Sequence, residues 1–477
     1  MSNNEVLSAN QRIAALLDES SFVEIGAAIT KRSTDFNMQE KSVPGDGVVT
    51  GYGLINGEPV YVYSQDVSAL GGSVGEMHAK KIAHIYELAM KTGVPVVGML
   101  DCAGMRLQEG TDALAGFGKI YRIKAMASGV IPQISAVFGK CGGGVAVLAA
   151  MSDFTFMEKD NAKLFVNAPN TLAGNYVEKC DTASAAFQAE SGVADFVYEG
   201  EEQVLTAIRN FMTFLPANNG SQGFAETSDD LNRLTQNFDA EVKDPAVALA
   251  DLSDGNVFVE VKADYAKEMV TGFIRLDGMT VGAIANRTVC YDEEGKESQT
   301  FDARLTAAGC DKALSFVKKC NAFNVPILTL TNVEGFAATL EEEQKIAQKA
   351  AALTYAFSQA DVPKVNLITE KAFGSAALVM NAKAIGADMV FALPDAKIGM
   401  MDAKLAAQVM YAEDAEADVD AKAEEYAAKQ DGVESAAQRG YVDAVIEPAS
   451  ARKQLLYAFE MLYSKSEFPF GKKNGTI

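Results

Sequence analysis

The hydrophobic positions of the chain fall into short apolar runs separated by longer amphipathic stretches. Four of the runs are predicted to be buried strands: Val60–Ser64, Val94–Leu100, Gln133–Phe138 and Phe154–Met157. Two of the intervals have the apolar spacing of helices: Gly75–Thr92 and Gly118–Ser128. Strands that are apolar on both faces and alternate with helices are typical of a largely parallel sheet. The pattern therefore predicts an α/β fold.

One series of motifs occurs twice along the chain. Val94-Pro95 and Val325-Pro326 each precede a strand, 231 residues apart (94 against 325). Further matching pairs follow in the same order: Phe22–Glu24 with Phe258–Glu260, Val49–Gly51 with Val270–Gly272, Pro132 with Pro363, Gly143 with Gly374, and Gly192–Asp195 with Gly440–Asp443. An ordered series of matches indicates a duplicated structural unit. The polar stretch Pro216–Asp244 separates the copies, so two domains are predicted, residues 1–235 and 236–477.

Composition restricts the partners of the protein. Asp and Glu number 64 against 42 Lys and Arg in 477 residues, a net charge of −22, and such a surface repels nucleic acid. The polar start and an apolar run of only Gly142–Met151 predict neither an export signal nor a membrane span, and hence a cytoplasmic protein. Six cysteines without a CxxC pair are expected to be reduced, and two histidines predict no metal site. The acidic, alanine-rich stretch Glu413–Asp431 is predicted to be a solvated helix.

A run of glycines follows the predicted strand Gln133–Phe138. Gly139-Lys140-Cys141 leads into Gly142, Gly143 and Gly144 and then into an apolar helix. Glycines at a strand-to-helix turn let backbone N–H groups face a ligand, and the helix N-terminus adds positive potential. Such donors can hold a developing oxyanion, for example a thioester enolate. Close packing of the helix on the strand is the alternative explanation of the glycines.

The second copy contains an equivalent turn, Lys371–Ala377, again after a predicted strand, Lys364–Thr369. Two matched donor turns suggest two oxyanions in one reaction. A cysteine nucleophile at Cys141 is disfavoured because both histidines, His78 and His84, precede it.

Several other residues are weighed as candidate contacts. Arg106 and Glu109 follow a strand end, where ligands bind in open α/β sheets, although a surface ion pair would explain them equally. The pair Lys31-Arg32 is a candidate for phosphate contacts, against the alternative of solvated surface cations. Lys91 follows Met90 as in a biotin attachment site, but the second Met is missing, so Lys91 is interpreted as a helix C-terminal cation. A satisfied structural role is expected for the two histidines.

Several motifs resemble the carboxyltransferase subunits of biotin-dependent acyl-CoA carboxylases and decarboxylases. They are Gly45–Gly53, Tyr63–Asp66, Gly71–His78, Gln108–Gly110, Ala127–Gln133 and Asp153–Met157. The resemblance covers nearly the whole chain and includes the propionyl-CoA carboxylase β chains and the methylmalonyl-CoA decarboxylase α chains. It implies two tandem crotonase-like (ClpP/crotonase) domains built of spiralled ββα units. It also implies a hexamer whose active sites combine the first domain of one subunit with the second domain of another.

The resemblance further implies transfer of CO2 between carboxybiotin, on a separate carrier protein, and the α-carbon of a short acyl-CoA such as propionyl-CoA or acetyl-CoA. By position, the amides of Gly143 and Gly144 would serve the thioester, and those of Ser375 and Ala376 would serve biotin. The implied substrate-binding residues are Gly71, Gly72, Ser73, Gly104, Arg106, Gly142, Gly374, Lys31 and Arg32. Implied partners are a biotin carboxyl carrier protein and, in related complexes, biotin carboxylase or membrane decarboxylase subunits. A decarboxylase direction and a non-catalytic assembly subunit remain as alternatives.

Overall fold

A computed structural model describes residues 6–32, 36–38, 42–292, 294–414 and 418–466, without the side chains of residues 177 and 178. The chain divides into two compact units, the first ending at Gly223 and the second beginning at Phe224. This division lies 12 residues before the boundary expected after residue 235 (235 against 223). Phe224 forms a β-bridge with Met279 of the second unit, and the Thr235 N–H donates to the Ala449 carbonyl.

The first unit is built around one twisted sheet. Its strands are β1 Val23–Glu24, β2 Val48–Ile55, β3 Glu58–Gln65, β4 Val96–Leu100, β5 Gln133–Val137, β6 Lys140–Gly142, β7 Phe154–Glu158, β8 Lys163–Phe165 and β9 Phe196–Tyr198. Its helices are α1 Ala9–Leu16, α2 Glu76–Thr92, α3 Thr111–Ala127, α4 Gly144–Ala150, α5 Asn175–Glu178, α6 Ala185–Glu190 and α7 Glu201–Met212. The sheet order is β1-β2-β3-β4-β5-β7-β9, antiparallel up to β3 and parallel from β3 onward. Strands β6 and β8 form a separate parallel pair.

The second unit has the same central arrangement. Its strands are β10 Val259–Glu260, β11 Met269–Leu276, β12 Met279–Asn286, β13 Val289–Tyr291, β14 Glu297–Thr300, β15 Arg304–Leu305, β16 Ile327–Val333, β17 Gly335–Phe336, β18 Lys364–Phe373, β19 Met389–Ala392, β20 Lys397–Gly399 and β21 Ala444–Val445. Its helices are α8 Phe238–Glu241, α9 Pro245–Leu252, α10 Ala307–Ala322, α11 Leu340–Glu343, α12 Ile346–Gln359, α13 Gly374–Val379, α14 Ala403–Met410, α15 Val419–Gln430, α16 Val433–Gln438 and α17 Ala451–Leu462. The order β10-β11-β12-β16-β18-β19-β21 repeats the order of the first sheet, and β20 pairs with the end of β18 as β8 pairs with β6.

The motifs that match in sequence also match in structure. Gly51 pairs with Glu24, and Gly272 pairs with Glu260. A Cβ atom on either glycine would lie 2.3 Å from the carbonyl oxygen of the neighbouring strand, so neither position accepts a side chain. The shared Gly therefore marks a close approach of the backbone in both units.

The helices pack through single apolar faces, as their spacing predicts. In α2 the buried positions include Ile82, Ile85, Tyr86 and Ala89, which recur at three- and four-residue intervals. The helix ends at Gly93, whose φ of +67° makes a left-handed cap. Within the described residues, no helix combines the length and the apolar composition that crossing a bilayer requires.

Candidate active site

The first glycine turn connects β5 to α4 through the short strand β6. A Cβ atom on Gly139 would lie 1.9 Å from the Asp101 Oδ1, so only glycine fits against the end of β4. Gly143 precedes α4 with φ +60° and ψ −125°, a conformation that side chains rarely adopt. Apart from its chain neighbours, no atom of the described residues lies within 4 Å of where a Gly143 Cβ would stand. The turn therefore faces open space at the N-terminus of α4.

One predicted donor of this turn is already occupied. The Gly143 N–H donates to the Phe165 carbonyl at the end of β8 (2.8 Å), because the β6–β8 pairing continues one residue beyond β6. This hydrogen bond corrects the expectation that Gly143 donates to a ligand. The first N–H groups of a helix have no acceptor inside the helix. At α4 these groups belong to Gly144, as expected, and to Val145.

The other glycines expected to bind substrate surround this turn. The Ala103 N–H donates to the Gly71 carbonyl (2.9 Å), and the Val74 N–H donates to the Gly104 carbonyl (2.9 Å). A Cβ on Gly72 would lie 2.2 Å from the Asp101 carbonyl oxygen, and one on Gly104 would lie 3.9 Å from the Gly142 carbonyl oxygen. The structure thus brings together Gly71, Gly72, Ser73, Gly104 and Gly142 at the carboxyl ends of parallel strands. This edge is where ligands bind in sheets of this kind.

Arg106 lies under this loop cluster and is only 1% exposed. Its guanidinium pairs with Asp46 and with Glu109 (2.8 Å), and it donates to the Ser73 carbonyl (2.7 Å). The expectation of a substrate-binding Arg106 is corrected, because the guanidinium is enclosed and bonded to buried groups of the protein. The alternative, an ion pair with Glu109, is confirmed, but the pair is buried and not at the surface. Arg106 instead fixes the loop that contains Gly72 and Ser73.

His78 completes the same buried network. Its Nδ1 lies 2.9 Å from the Asp46 carbonyl oxygen, which can only accept, so Nδ1 carries the proton and Nε2 accepts from the Gln65 amide (3.2 Å). The Gln65 Oε1 in turn accepts the Asp101 N–H (3.2 Å). Complete burial, with Arg106 nearby, lowers the pKa of His78 to about 3. His78 is therefore a neutral structural residue, as expected, and not a general base.

Sequence reasoning missed a second buried ion pair beneath the turn. Arg12 donates to Asp101 Oδ2 (3.0 Å) and to Glu201 Oε2 (2.7 Å), and its guanidinium lies 4.7 Å from the centre of the Phe138 ring. Asp101 thereby holds α1 and α7 against the end of β4. The repeat drew attention to Asp101, but the sequence contained no signal that would place Arg12 beside it.

The basic pair expected to contact phosphate is occupied by the protein itself. Lys31 is buried and donates its Nζ to the Met38 carbonyl. Arg32 has a side chain 48% exposed, but it pairs with Glu76 (2.8 Å) and with Asp112 (2.5 Å). The structure therefore corrects the expectation for Lys31 and gives Arg32 two carboxylate partners that an incoming phosphate must displace.

The thiols beside the turn are inert. Burial raises the pKa of Cys102 to about 11, and the pKa of Cys141 is raised further for the same reason. A thiolate is the reactive form of cysteine, so neither residue is an activated nucleophile at neutral pH. This agrees with the argument against a cysteine hydrolase.

The second glycine turn has the same construction as the first. Gly374 joins β18 to α13 with φ +61°, against +60° at Gly143. The Asn332 N–H donates to Asn286 Oδ1 (3.1 Å), as the Asp101 N–H donates to Gln65 Oε1 (3.2 Å) in the first unit. Ser375 is exposed and Ala376 is buried in the first turn of α13. Ser375 and Ala376 follow Gly374 as Gly144 and Val145 follow Gly143, so their N–H groups correspond to those of Gly144 and Val145 in the first turn.

A duplicated α/β unit with glycine turns at the carboxyl ends of its strands defines a crotonase-like protein. The carboxyl transferase domain family matches residues 4–477. The propionyl-CoA carboxylase β chain of Roseobacter denitrificans is 40% identical, covering 99% of this chain and 93% of that protein. The α subunit of methylmalonyl-CoA decarboxylase from Veillonella parvula is 38% identical with the same coverage. The chain therefore belongs to the carboxyl transferase family, and the resemblance found in its motifs is confirmed.

The fold is confirmed by a solved structure. The transcarboxylase 12S hexamer, determined with hydrolysed methylmalonyl-CoA bound, matches with a TM-score of 0.92 and 35% identity over 99% of this chain and 93% of that one. Both units thus have the crotonase-like fold expected from the sequence.

Proposed function

We propose that this protein is the carboxyltransferase of a biotin-dependent complex. It moves CO2 between carboxybiotin on a separate carrier protein and the α-carbon of a short acyl-CoA. The observation that supports this most strongly is the pair of matched strand–glycine–helix turns, at Gly143 and at Gly374, within a member of the carboxyl transferase family. One reaction that develops negative charge on two oxygen atoms accounts for two such turns.

In this proposal each turn stabilises one oxyanion. The N–H groups of Gly144 and Val145 donate to the thioester oxygen when the acyl-CoA becomes an enolate. The N–H groups of Ser375 and Ala376 donate to the ureido oxygen of biotin. Donors that are fixed before the reaction need no reorganisation, and loss of one such donor typically lowers kcat by about 10²–10³-fold.

The residues around the first turn fit a reaction without a side-chain base. His78 is neutral and enclosed, and Glu109 accepts from Arg106 and from the Glu76 N–H (2.6 Å). The buried thiols of Cys102 and Cys141 are held in the protonated form. Biotin, when bound, supplies the carboxyl group and the nitrogen that accepts the α-proton. In this proposal the protein binds and orients the acyl-CoA and biotin, and its N–H groups stabilise the two oxyanions.

The relatives support an oligomeric complex. The matched transcarboxylase is a hexamer, and the relatives include subunits of a carboxylase and of a decarboxylase. We propose a homo-hexamer that works with a biotin carboxyl carrier protein in the cytoplasm, together with biotin carboxylase or membrane decarboxylase subunits. The acyl substrate is propionyl-CoA with methylmalonyl-CoA, or acetyl-CoA with malonyl-CoA.

The test is carboxyl transfer by the purified protein with free biotin. Methylmalonyl-CoA and malonyl-CoA are offered in separate reactions, and formation of propionyl-CoA or acetyl-CoA is followed with and without biotin. Biotin-dependent turnover of either substrate supports the proposal, and the faster substrate identifies the acyl chain. Absence of turnover of both substrates, with the oligomer intact, favours a non-catalytic assembly subunit.

A further inference from the structure

The second unit contains a cavity of about 750 Å³ beside the second glycine turn. Its walls come from the end of β18, from β20, from α14 and from the segment that joins α15 to α16. Phe373, Met401 and Val433 supply apolar surface, and Asp402 and Asp431 supply carboxylates. A volume of this size is typical of sites for small ligands.

Asp431 is the unusual residue of this cavity. It follows the last residue of α15 and is 6% exposed, although the helix itself has no buried residue. Its main chain is fixed, since its carbonyl accepts the Ile398 N–H (3.0 Å) and its N–H donates to Ala427 (3.1 Å). Within the described part of the chain, no group donates a hydrogen bond to Asp431 Oδ1, which is buried. The prediction that Glu413–Asp431 is a helix with a solvated face is confirmed for α15 and wrong at Asp431, and residues 415–417 lie outside the described residues.

The remaining charges make the cavity acidic. Five carboxylates and three cations line it: Glu334, Asp395, Asp402, Asp431 and Glu434, with Arg304, Lys371 and Lys397. Glu334 already pairs with Lys371 (2.8 Å) and Arg304 (3.4 Å). The excess of carboxylates disfavours phosphates and favours a positively charged group.

The duplication shows that the fold does not need this carboxylate. Asp431 lies 248 residues after Ala183 (431 against 183), the same offset that relates Asp443 to Asp195. In the first unit the Leu164 N–H donates to the Ala183 carbonyl (2.9 Å), as Ile398 does to Asp431. A buried carboxylate without a donor destabilises a protein. Its presence where the equivalent position is alanine points to a ligand.

We propose that this cavity binds a primary alkylammonium group, which donates to the carboxylate of Asp431. The alkyl chain would pack against Phe373, Met401 and Val433, and the aromatic ring adds attraction for the cation. The ammonium group could belong to a lysine side chain or to a small free amine. Lys371 and Phe373 belong both to this cavity and to the second glycine turn, but the binding predicted here is measured without carboxyl transfer and does not depend on it.

The proposal predicts pH-dependent binding. Burial raises the pKa of Asp431 to about 6, nearby Asp402 adds to this rise, and Lys397 opposes it. Asp431 is thus ionised at pH 7.5 and about nine-tenths protonated at pH 5. A protonated carboxyl group loses the charge attraction, so affinity should fall about tenfold between these two pH values.

The test is isothermal titration calorimetry of the full-length protein with two probes, Nα-acetyl-lysine methylamide and 1,4-diaminobutane. Wild type should bind at least one of them, and Asp431→Ala and Asp431→Asn should each weaken binding at least tenfold. Glu434→Gln changes an exposed carboxylate of the same cavity and serves as the control, with less than a twofold effect expected. Tighter binding of the lysine derivative supports a protein side chain as the occupant, and tighter binding of the diamine supports a free amine.

Two results would overturn the proposal. One is absence of saturable binding by wild type with either amine. The other is equal binding by wild type and Asp431→Ala. Asp431→Ala should fold, so misfolding does not complicate the test. The first unit has alanine, Ala183, at the equivalent position, and the substitution removes a buried carboxylate that has no hydrogen-bond donor. Its melting temperature should equal or exceed that of wild type.

Discussion

Replacement of Gly143 by alanine tests the first oxyanion turn. The added methyl group meets no atom of the described residues within 4 Å beyond its chain neighbours, so the free-energy cost to the fold comes from the backbone conformation. Holding alanine at φ +60° and ψ −125° costs about 1–3 kcal/mol. In a domain of this size, that corresponds to a fall in melting temperature of about 2–4 °C per kcal/mol.

The effect on catalysis should be larger than the effect on stability. The methyl group enters the open space in front of α4, and the turn that aims the Gly144 and Val145 N–H groups must relax. We expect kcat/KM for carboxyl transfer to fall by about 10²-fold or more, the usual effect of losing one oxyanion donor. The assay is biotin-dependent decarboxylation of methylmalonyl-CoA or malonyl-CoA.

Gly57→Ala is the matched control. Gly57 lies in the β2–β3 hairpin with φ +83°, and a methyl group added there would also meet no atom within 4 Å in the described part of the chain, its chain neighbours aside. It should lose similar stability and retain near wild-type activity. The reasoning is refuted if Gly143→Ala keeps more than half of the wild-type kcat/KM, or if Gly57→Ala loses as much activity as Gly143→Ala.

Three further predictions concern the framework beneath the turn. Arg106→Met leaves the carboxylates of Asp46 and Glu109 buried without their partner, which costs about 3–5 kcal/mol of stability. The melting temperature should therefore fall by at least ~6 °C, and a fall of less than ~2 °C would contradict this prediction. His78 has a folded pKa of about 3, below its ordinary value of 6.5, so the unfolded chain takes up the proton first and stability is lost as pH falls from 6.5, by up to about 1.4 kcal/mol per unit. His78→Gln should reduce this slope in thermal melts, and an unchanged slope would exclude His78 as its source. In Gly139→Ala the added methyl group collides with Asp101, so this variant should destabilise the protein. Gly118→Ala lies on the exposed face of α3 and should stabilise the protein by about 0.5–1 kcal/mol. Equal melting temperatures of the two variants would refute the packing argument.

The fold could be predicted because its signals are local and repeated. The apolar runs at Val94–Leu100 and Gln133–Phe138 are long enough to identify β4 and β5, and the recurrence of the Val-Pro motif identifies β16 in the second unit. The glycine turns followed from the same reasoning, since each lies directly after a predicted strand and recurs at the same place in the repeat. Their matched φ angles at Gly143 and Gly374 agree with the duplication.

The interior charges could not be predicted, because burial of a charged side chain depends on partners distant in sequence. Arg106 forms an ion pair with Asp46, which lies 60 residues away in sequence. Lys31 donates to the Met38 carbonyl, and no sequence pattern identifies a main-chain acceptor of this kind. The occupied N–H of Gly143 depends on the register of β8. Asp431 ends a helix whose other positions are solvated, so composition alone predicted that it is exposed.

The central claim is that main-chain N–H groups, and not side chains, perform the chemistry. The most direct test compares Ser375→Pro, which removes the N–H, with Ser375→Ala, which keeps the N–H and removes only the hydroxyl group. Proline is tolerated in the first turn of a helix, and Ser375 is exposed, so both variants should fold. In biotin-dependent carboxyl transfer we predict that Ser375→Ala stays within about threefold of wild-type kcat and that Ser375→Pro loses about 10²–10³-fold. Equal activity of the two variants would contradict the account.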